Sequence, residues 1–191
     1  HRSGGRIFDH FVGEIAVGPF LEGFYPRIRG AIVEALGHIA DPRALAGLAA
    51  LYDRTRDNAL KVRLAVALGA IRDGSAVPKL IELLQSDLAA VQFFAIEALA
   101  EAGDERAAQP LRQLYRQIVR GEVRDCSLET FQEQTGLSLL DGDGSVREEL
   151  PPMSRFLNRV LALTIARQNS IFEAFETILE QILEGMRASG G

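Results

Sequence analysis

The stretch 35–51, ALGHIADPRALAGLAAL, is followed by a close copy, ALGAIRDGSAVPKLIELL, at 67–84. A weaker third copy, VQFFAIEALAEAGDERAAQPLRQL, occupies 91–114. When the copies are aligned, Gly37, Gly69 and Ala100 correspond, so the period is 32 and then 31 residues. A period of this length is typical of solenoids, in which each unit packs only on its neighbours.

Each copy predicts two helices separated by a break, because apolar residues recur at helical spacing on both sides of an Asp. In each break an Asp or Ser side chain can accept hydrogen bonds from the free N–H groups of the second helix. No stretch alternates as a strand would, so the fold should be all-α. The breaks are Asp41-Pro42, Asp73-Gly74-Ser75 and Asp104-Glu105. The first helices should bury Ile28, Ile32, Ala35, Leu36 and Ile39; Leu60, Leu64, Ala67, Leu68 and Ile71; Val91, Ala95, Ala98, Leu99 and Ala102.

A helix ending Ala-Leu-Gly-x-Ile, then Asp-Pro-Arg-Ala, then a helix with Pro-x-Leu-Ile-x-Leu-Leu resembles the short HEAT repeats of the phycobilisome-lyase type. The resemblance covers residues 27–120, about half of the chain. The third copy departs from it, with Ala100 in place of glycine and Pro110 one position late. The resemblance implies a right-handed α-solenoid of HEAT-like helical hairpins.

Three parts are predicted along the chain. A repeat array should span 1–120, with clear repeats over 27–120 and a degenerate repeat before them; the alternative for those first residues is the exposed end of a longer solenoid. An acidic insertion over 121–152 contains one short helix, from its cap Ser127 to Thr135, stopped by Gly136. A helical hairpin over 153–187, whose second helix opens with a capping box at Ser170–Glu173, should cap the array.

Composition narrows the classes of function. The net charge of -5 and the pI of 5.3 disfavour nucleic-acid binding, which needs clustered Lys and Arg. No apolar run is long enough for a membrane helix, and no cleavable signal sequence is evident. The single cysteine, Cys126, excludes an intrachain disulfide and favours a reducing compartment, so we expect a cytoplasmic protein.

The sequence offers no catalytic constellation, so we expect no catalytic residue, no metal and no cofactor. Glu34 and His38 share a helix face but are better explained as a surface pair. Cys126 has no nearby base and should be inert. The Asp141–Ser145 stretch begins like a calcium loop but lacks the Gly and Glu that complete one, so a solvated acidic loop is the default. Phosphate loops and nucleophile elbows are missing from the sequence.

One surface remains as a candidate, a ridge formed where corresponding positions of the first helices stack. Its positions are Arg27, Ala31, Glu34 and His38; Ala59, Arg63, Val66 and Ala70; and Ala90, Phe94, Glu97 and Glu101. It combines acidic, basic and aromatic side chains, which would suit a protein partner, although parts of it could simply pack between repeats. The candidate partner-binding residues are Arg27, Glu34, His38, Arg63, Phe94, Glu97 and Glu101.

The preferred function is therefore a non-enzymatic scaffold that binds a protein partner along its stacked helices, with homo-oligomerisation open. The family resemblance implies one alternative, a phycobilin lyase or chromophore-protein chaperone that binds a bilin or a bilin-protein. A regulatory or dimerisation segment of a larger protein is the second alternative.

Overall fold

The computed structural model of the chain describes residues 26–122, 126–136 and 171–189. Within these ranges it contains eight α-helices, one 3-10 turn and no strand. The helices are α1 Pro26–Ile39, α2 Leu45–Arg54 (preceded by the 3-10 turn Pro42–Ala44), α3 Asn58–Ala70, α4 Val77–Leu83, α5 Ala89–Ala102, α6 Glu105–Val119, α7 Leu128–Thr135 and α8 Ile171–Ser189.

The first six helices form three successive hairpins, one for each copy of the repeat. The first helices stack side by side, α1 on α3 and α3 on α5, while α2 packs on α3 and α4 packs on α5. This is the arrangement predicted from the period, and the all-α solenoid is confirmed; the hand of its superhelix stays a prediction.

The turn inside each hairpin has the same backbone conformation. A residue with positive φ ends each first helix, and the Asp that follows accepts a hydrogen bond from the N–H two residues later. The positive-φ residues are Ala40 (53°), Arg72 (49°) and Gly103 (60°). The bonds join Arg43 N to Asp41 (2.9 Å), Ser75 N to Asp73 (2.8 Å) and Arg106 N to Asp104 (2.9 Å). Asp41 therefore caps the 3-10 turn and Asp104 caps α6, while Asp73 accepts its bond within the turn that precedes α4.

Both of these Asp caps are also paired with an arginine side chain. Hydrogen bonds from the side chain and the backbone of Arg43 lower the pKa of Asp41 to about 2. Arg106 does the same for Asp104, whose pKa is also about 2. Arg106 Nη2 additionally donates to the Gly74 carbonyl at 2.8 Å, which ties the third hairpin to the second.

The glycine of the Ala-Leu-Gly phrase is the point of closest approach between hairpins. A Cβ placed at Gly37 would lie 3.1 Å from Ala67 Cβ, and one at Gly69 would lie 2.8 Å from Ala98 Cβ. The distance at Gly69 is shorter than real Cβ contacts, and the distance at Gly37 is tighter than most of them, so glycine lets the first helices stack this closely. The recurrence of Ala and Gly in the repeat follows from this contact.

The predicted core is correct for the second hairpin and partly wrong at the edges. Ile28, Ala35 and Ile39 of α1 are exposed, whereas their counterparts in α3 are buried. The physical reason is position in the stack: within the described residues no first helix lies ahead of α1 to cover that face. Ala102, at the end of α5, is also exposed rather than buried.

Beyond the hairpins, α8 packs against α6 and buries Ile178, Leu179 and Leu183. A C-terminal helix therefore packs on the last hairpin, while the division of the chain into three parts and the capping hairpin over 153–187 stay predictions. The degenerate repeat predicted before residue 27 lies outside the described residues, apart from Pro26. The Asp141–Ser145 loop and Ser170 of the capping box also lie outside them.

Candidate functional site

A groove of about 380 Å³ opens where α1, α3 and α5 meet the end of α7. We call it the groove throughout. Its lining consists of Glu34, Gly37 and His38 from α1; Val62, Arg63, Val66, Ala67 and Ala70 from α3; Phe94 from α5; and Thr135 and Gly136 at the end of α7.

The middle of the groove is apolar and its edge is polar. Val62 and Ala67 are buried in the helix stack, Phe94 is half-buried, and Val66 is exposed despite its size. Val66 and Phe94 together give the groove an apolar centre beside polar groups, a composition that ligand and partner sites share.

One ion pair crosses the polar edge. Arg63 Nη1 lies 3.0 Å from Glu34 Oε1, so the pair joins α3 to α1. The guanidinium lies over the backbone of Gly30, where a Cβ would fall on it, so the missing side chain at Gly30 makes room for the arginine. Because both partners are about half exposed, the pair contributes little to stability, and its main effect is to orient the two charges.

The short helix α7 forms one wall, since it lies on α3 and α5. Phe131 is fully buried, with its ring edge-on to Phe93 at a centroid distance of 5.5 Å, and Phe93 in turn contacts Phe94 at 5.2 Å. Gln134 Oε1 accepts a hydrogen bond from Ala90 N at 3.1 Å. This bond satisfies a free N–H at the start of α5, whose N-cap residue supplies no side-chain bond of its own.

The structure brings four of the seven predicted partner-binding residues together: Glu34, His38, Arg63 and Phe94 all line the groove. Glu101 lies elsewhere and pairs with Arg72 at 2.8 Å, while Glu97 is half-buried and outside the lining. The side chain of Arg27 lies outside the described part of the chain. The binding role of all seven stays a prediction.

At one ridge position the packing alternative is the right one. Ala90, in line with Phe94 on the predicted ridge, is fully buried, and its N–H bonds to α7. The contribution of α7 was missed, because Gln134, Thr135 and Gly136 are distant from the repeats in sequence and nothing in the periodicity connects them. The sequence did offer a signal for Val66, because it is an apolar residue at a ridge position where most residues are polar or small.

Other candidate chemistry finds no support in the described ranges. Cys126 is buried, with its Sγ 3.5 Å from the Ser127 carbonyl, in agreement with an inert thiol. Residues 26–122, 126–136 and 171–189 contain no group of three His, Cys, Asp or Glu side chains placed to hold a metal. Among the helices just described, none combines the length and apolar character that crossing a membrane requires.

Two family models match the chain. The model described as the C-terminal domain on Strawberry notch homologue matches residues 88–191, which is more than half of the chain. The chain belongs to the Strawberry notch C-terminal domain family. The model of the PBS lyase HEAT-like repeat matches residues 28–54 and 60–86, which are the first two hairpins, and confirms the HEAT-like repeats there. No curated protein and no solved structure matches.

The two matches lie side by side along the chain and do not overlap. The HEAT-like match ends at residue 86, and the Strawberry notch C-terminal domain match begins at residue 88, at the start of the third hairpin. The third copy, which departs most from the repeat pattern, therefore lies within the Strawberry notch match. The groove draws residues from both parts, since α1 and α3 fall in one and α5 and α7 in the other.

Proposed function

We propose that this chain is a HEAT-like scaffold that binds a partner protein through the groove. The observation that supports the proposal most directly is the exposed Val66 in a concave site whose edge carries Glu34, His38 and Arg63. These residues occupy the ridge along which stacked repeats bind their partners.

The groove limits what the partner can present. At about 380 Å³ it has room for a few side chains and is at the small end of ligand pockets. An apolar anchor would lie against Val66 and Phe94, while polar groups beside the anchor would meet Glu34 and Arg63. Such an arrangement, an apolar centre with a polar rim, is usual for protein interfaces.

A matched pair of valines tests the proposal. Val66 in the groove is 45% exposed and Val119 on α6 is 52% exposed, so either can be changed to Glu with little effect on folding. Proteins bound to the wild-type chain in extracts of its source cells would be identified and quantified by mass spectrometry. We expect Val66→Glu to lose at least one of them about tenfold, and Val119→Glu to keep it. Equal binding by all three chains would contradict the proposal.

The bilin alternative predicts a different outcome. A tetrapyrrole bound in the groove would change its absorbance spectrum on mixing with the wild-type chain, and the change would be lost in Val66→Glu. An unchanged spectrum with the wild-type chain would remove this alternative and leave the protein partner in place.

The second candidate function is a regulatory or dimerisation segment of a larger protein. It is favoured by the match over residues 88–191, because that family is described as a domain on another protein. A dimerisation segment would have twice the chain mass of 20.9 kDa in light scattering. A monomer at all concentrations would exclude dimerisation.

A further inference from the structure

The helix α1 exposes an apolar face that the next hairpin buries. Ile28 is 47% exposed and Ile39 is 60% exposed, and Ala35 between them is also open to solvent. One period later the corresponding residues are buried: Leu60 is 4% exposed, Ala67 2% and Ile71 5%. Corresponding apolar faces are therefore exposed to solvent on α1 and buried on α3.

The contacts between hairpins indicate what closes it. Ala67 of α3 lies against Gly37 of α1, and Ala98 of α5 lies against Gly69 of α3. Each first helix thus presents its glycine to the helix after it and its alanine to the helix before it. By the period, Ala35 is the alanine that would meet the glycine of a preceding first helix. The face is continuous with the interfaces already present in the stack.

The sequence ahead of α1 contains such a glycine at the right distance. Gly5-Arg-Ile7-Phe-Asp9 has the pattern of Gly37-His-Ile39-Ala-Asp41 and of Gly69-Ala-Ile71-Arg-Asp73. The spacing from Gly5 to Gly37 equals the spacing from Gly37 to Gly69. In the two later copies the glycine makes the interhelix contact, and the Asp accepts a backbone N–H bond in the turn between the two helices. By sequence spacing, Gly5 is therefore the position that corresponds to Gly37 one period earlier.

We infer that the face formed by Ile28, Ala35 and Ile39 binds the first helix of one more HEAT-like repeat, whose glycine would lie against Ala35 as Gly37 lies against Ala67. Its partner is an amphipathic helix with a small residue in its last turn, because only a small residue can approach Ala35 as Gly37 approaches Ala67. The inference does not depend on the groove, because none of Ile28, Ala35 and Ile39 lines it.

The test adds a helix of this kind to the same chain. Residues 26–36, the part of α1 that precedes Gly37, are duplicated directly before Gly5 in place of residues 1–4. The control chain carries the same eleven residues in an order without helical periodicity. Ile39→Cys is introduced into both chains as a reporter, and its thiol labelling rate is measured; Cys126 is buried and labels slowly.

We expect the in-register extension to slow labelling at Ile39→Cys about tenfold and to raise the thermal midpoint, because the covered face must open before it reacts. Ala35→Glu in the receiving face should abolish this protection, whereas Ala46→Glu on α2 should not. Equal labelling of the two extended chains would overturn the inference. The inference would also be overturned if Ile39→Cys in the unextended chain labelled more slowly as the protein concentration rose. A second copy of the chain would then cover the face.

Discussion

At the residue scale, the hairpin turns place different residues in the same strained conformation. Ala40 and Arg72 have positive φ, where a Cβ is unfavourable, and Gly103 has the same conformation without a Cβ. The third copy, which departs most from the repeat in its helices, therefore has the most favourable residue at its turn.

This difference predicts opposite effects for exchanges between Ala and Gly. Ala40→Gly should raise the free energy of unfolding by about 1 kcal/mol, and Gly103→Ala should lower it by about the same amount. Ala46→Gly, at an exposed position inside α2, should lower it by about 0.5–1 kcal/mol because helix interiors disfavour glycine. Urea unfolding of the purified variants measures all three. A loss of stability in Ala40→Gly would show that the turn is not strained.

The Asp caps predict how stability depends on pH. The pKa values of Asp41 and Asp104 fall on folding from about 3.8 to about 2, so the stability they contribute is fully present above pH 4. It should be lost as the pH falls from about 4 towards 2. Asp41→Asn and Asp104→Asn should each flatten this part of the profile, measured by urea unfolding between pH 2 and 5. Asp87→Asn, an equal change of charge outside the caps, should leave its slope unchanged; flattening by Asp87→Asn alone would contradict the prediction.

At the element scale, α7 is a short helix that packs on α3 and α5 through one buried aromatic ring. It is eight residues long, too short to be stable alone, and its anchor is the buried ring of Phe131 against Phe93. Its cap Ser127 and its stop Gly136 fix where it begins and ends. Packing on α3 and α5 therefore decides whether this part of the acidic insertion is helical.

Removing the anchor should release the helix. Phe131→Ala should abolish the slow hydrogen exchange of residues 128–135 and cost about 3 kcal/mol, or less if α7 detaches while the hairpins remain folded. Thr130→Ala, an exposed change on the same helix, should preserve the protection. Hydrogen exchange read by mass spectrometry distinguishes the two. Unchanged protection in Phe131→Ala would mean that other contacts hold α7.

At the scale of the whole molecule, stability comes from stacking between neighbouring hairpins, and this stacking depends on glycine. The contacts Gly37–Ala67 and Gly69–Ala98 bring successive first helices together, while Arg106 and the Arg72–Glu101 pair join the second and third hairpins at the turns. A change at one stacking contact should therefore weaken the coupling of two hairpins.

Gly69→Ala tests this coupling. The new Cβ would lie 2.8 Å from Ala98 Cβ, so the helices must separate, and the variant should lose about 1–2 kcal/mol despite the higher helix propensity of alanine. Gly185→Ala in α8 has open space around it and should gain about 0.5–1 kcal/mol. Thermal and urea unfolding compare the two. A gain in both variants would show that the hairpins tolerate a wider spacing.

The sequence alone determined the repeat, the helix pairs and their caps. These features depend on local chemistry: an apolar period of 3.6 residues, an Asp that accepts N–H bonds, and a small residue at a fixed place in each copy. The position of α7 over α5, the Gln134–Ala90 bond and the Arg63–Glu34 pair were decided only by the tertiary structure, because they join residues that no period relates. The tertiary structure also decided that the apolar face of α1 is exposed. Burial depends on which helix lies next in the stack, so similar apolar faces are open on α1 and covered on α3.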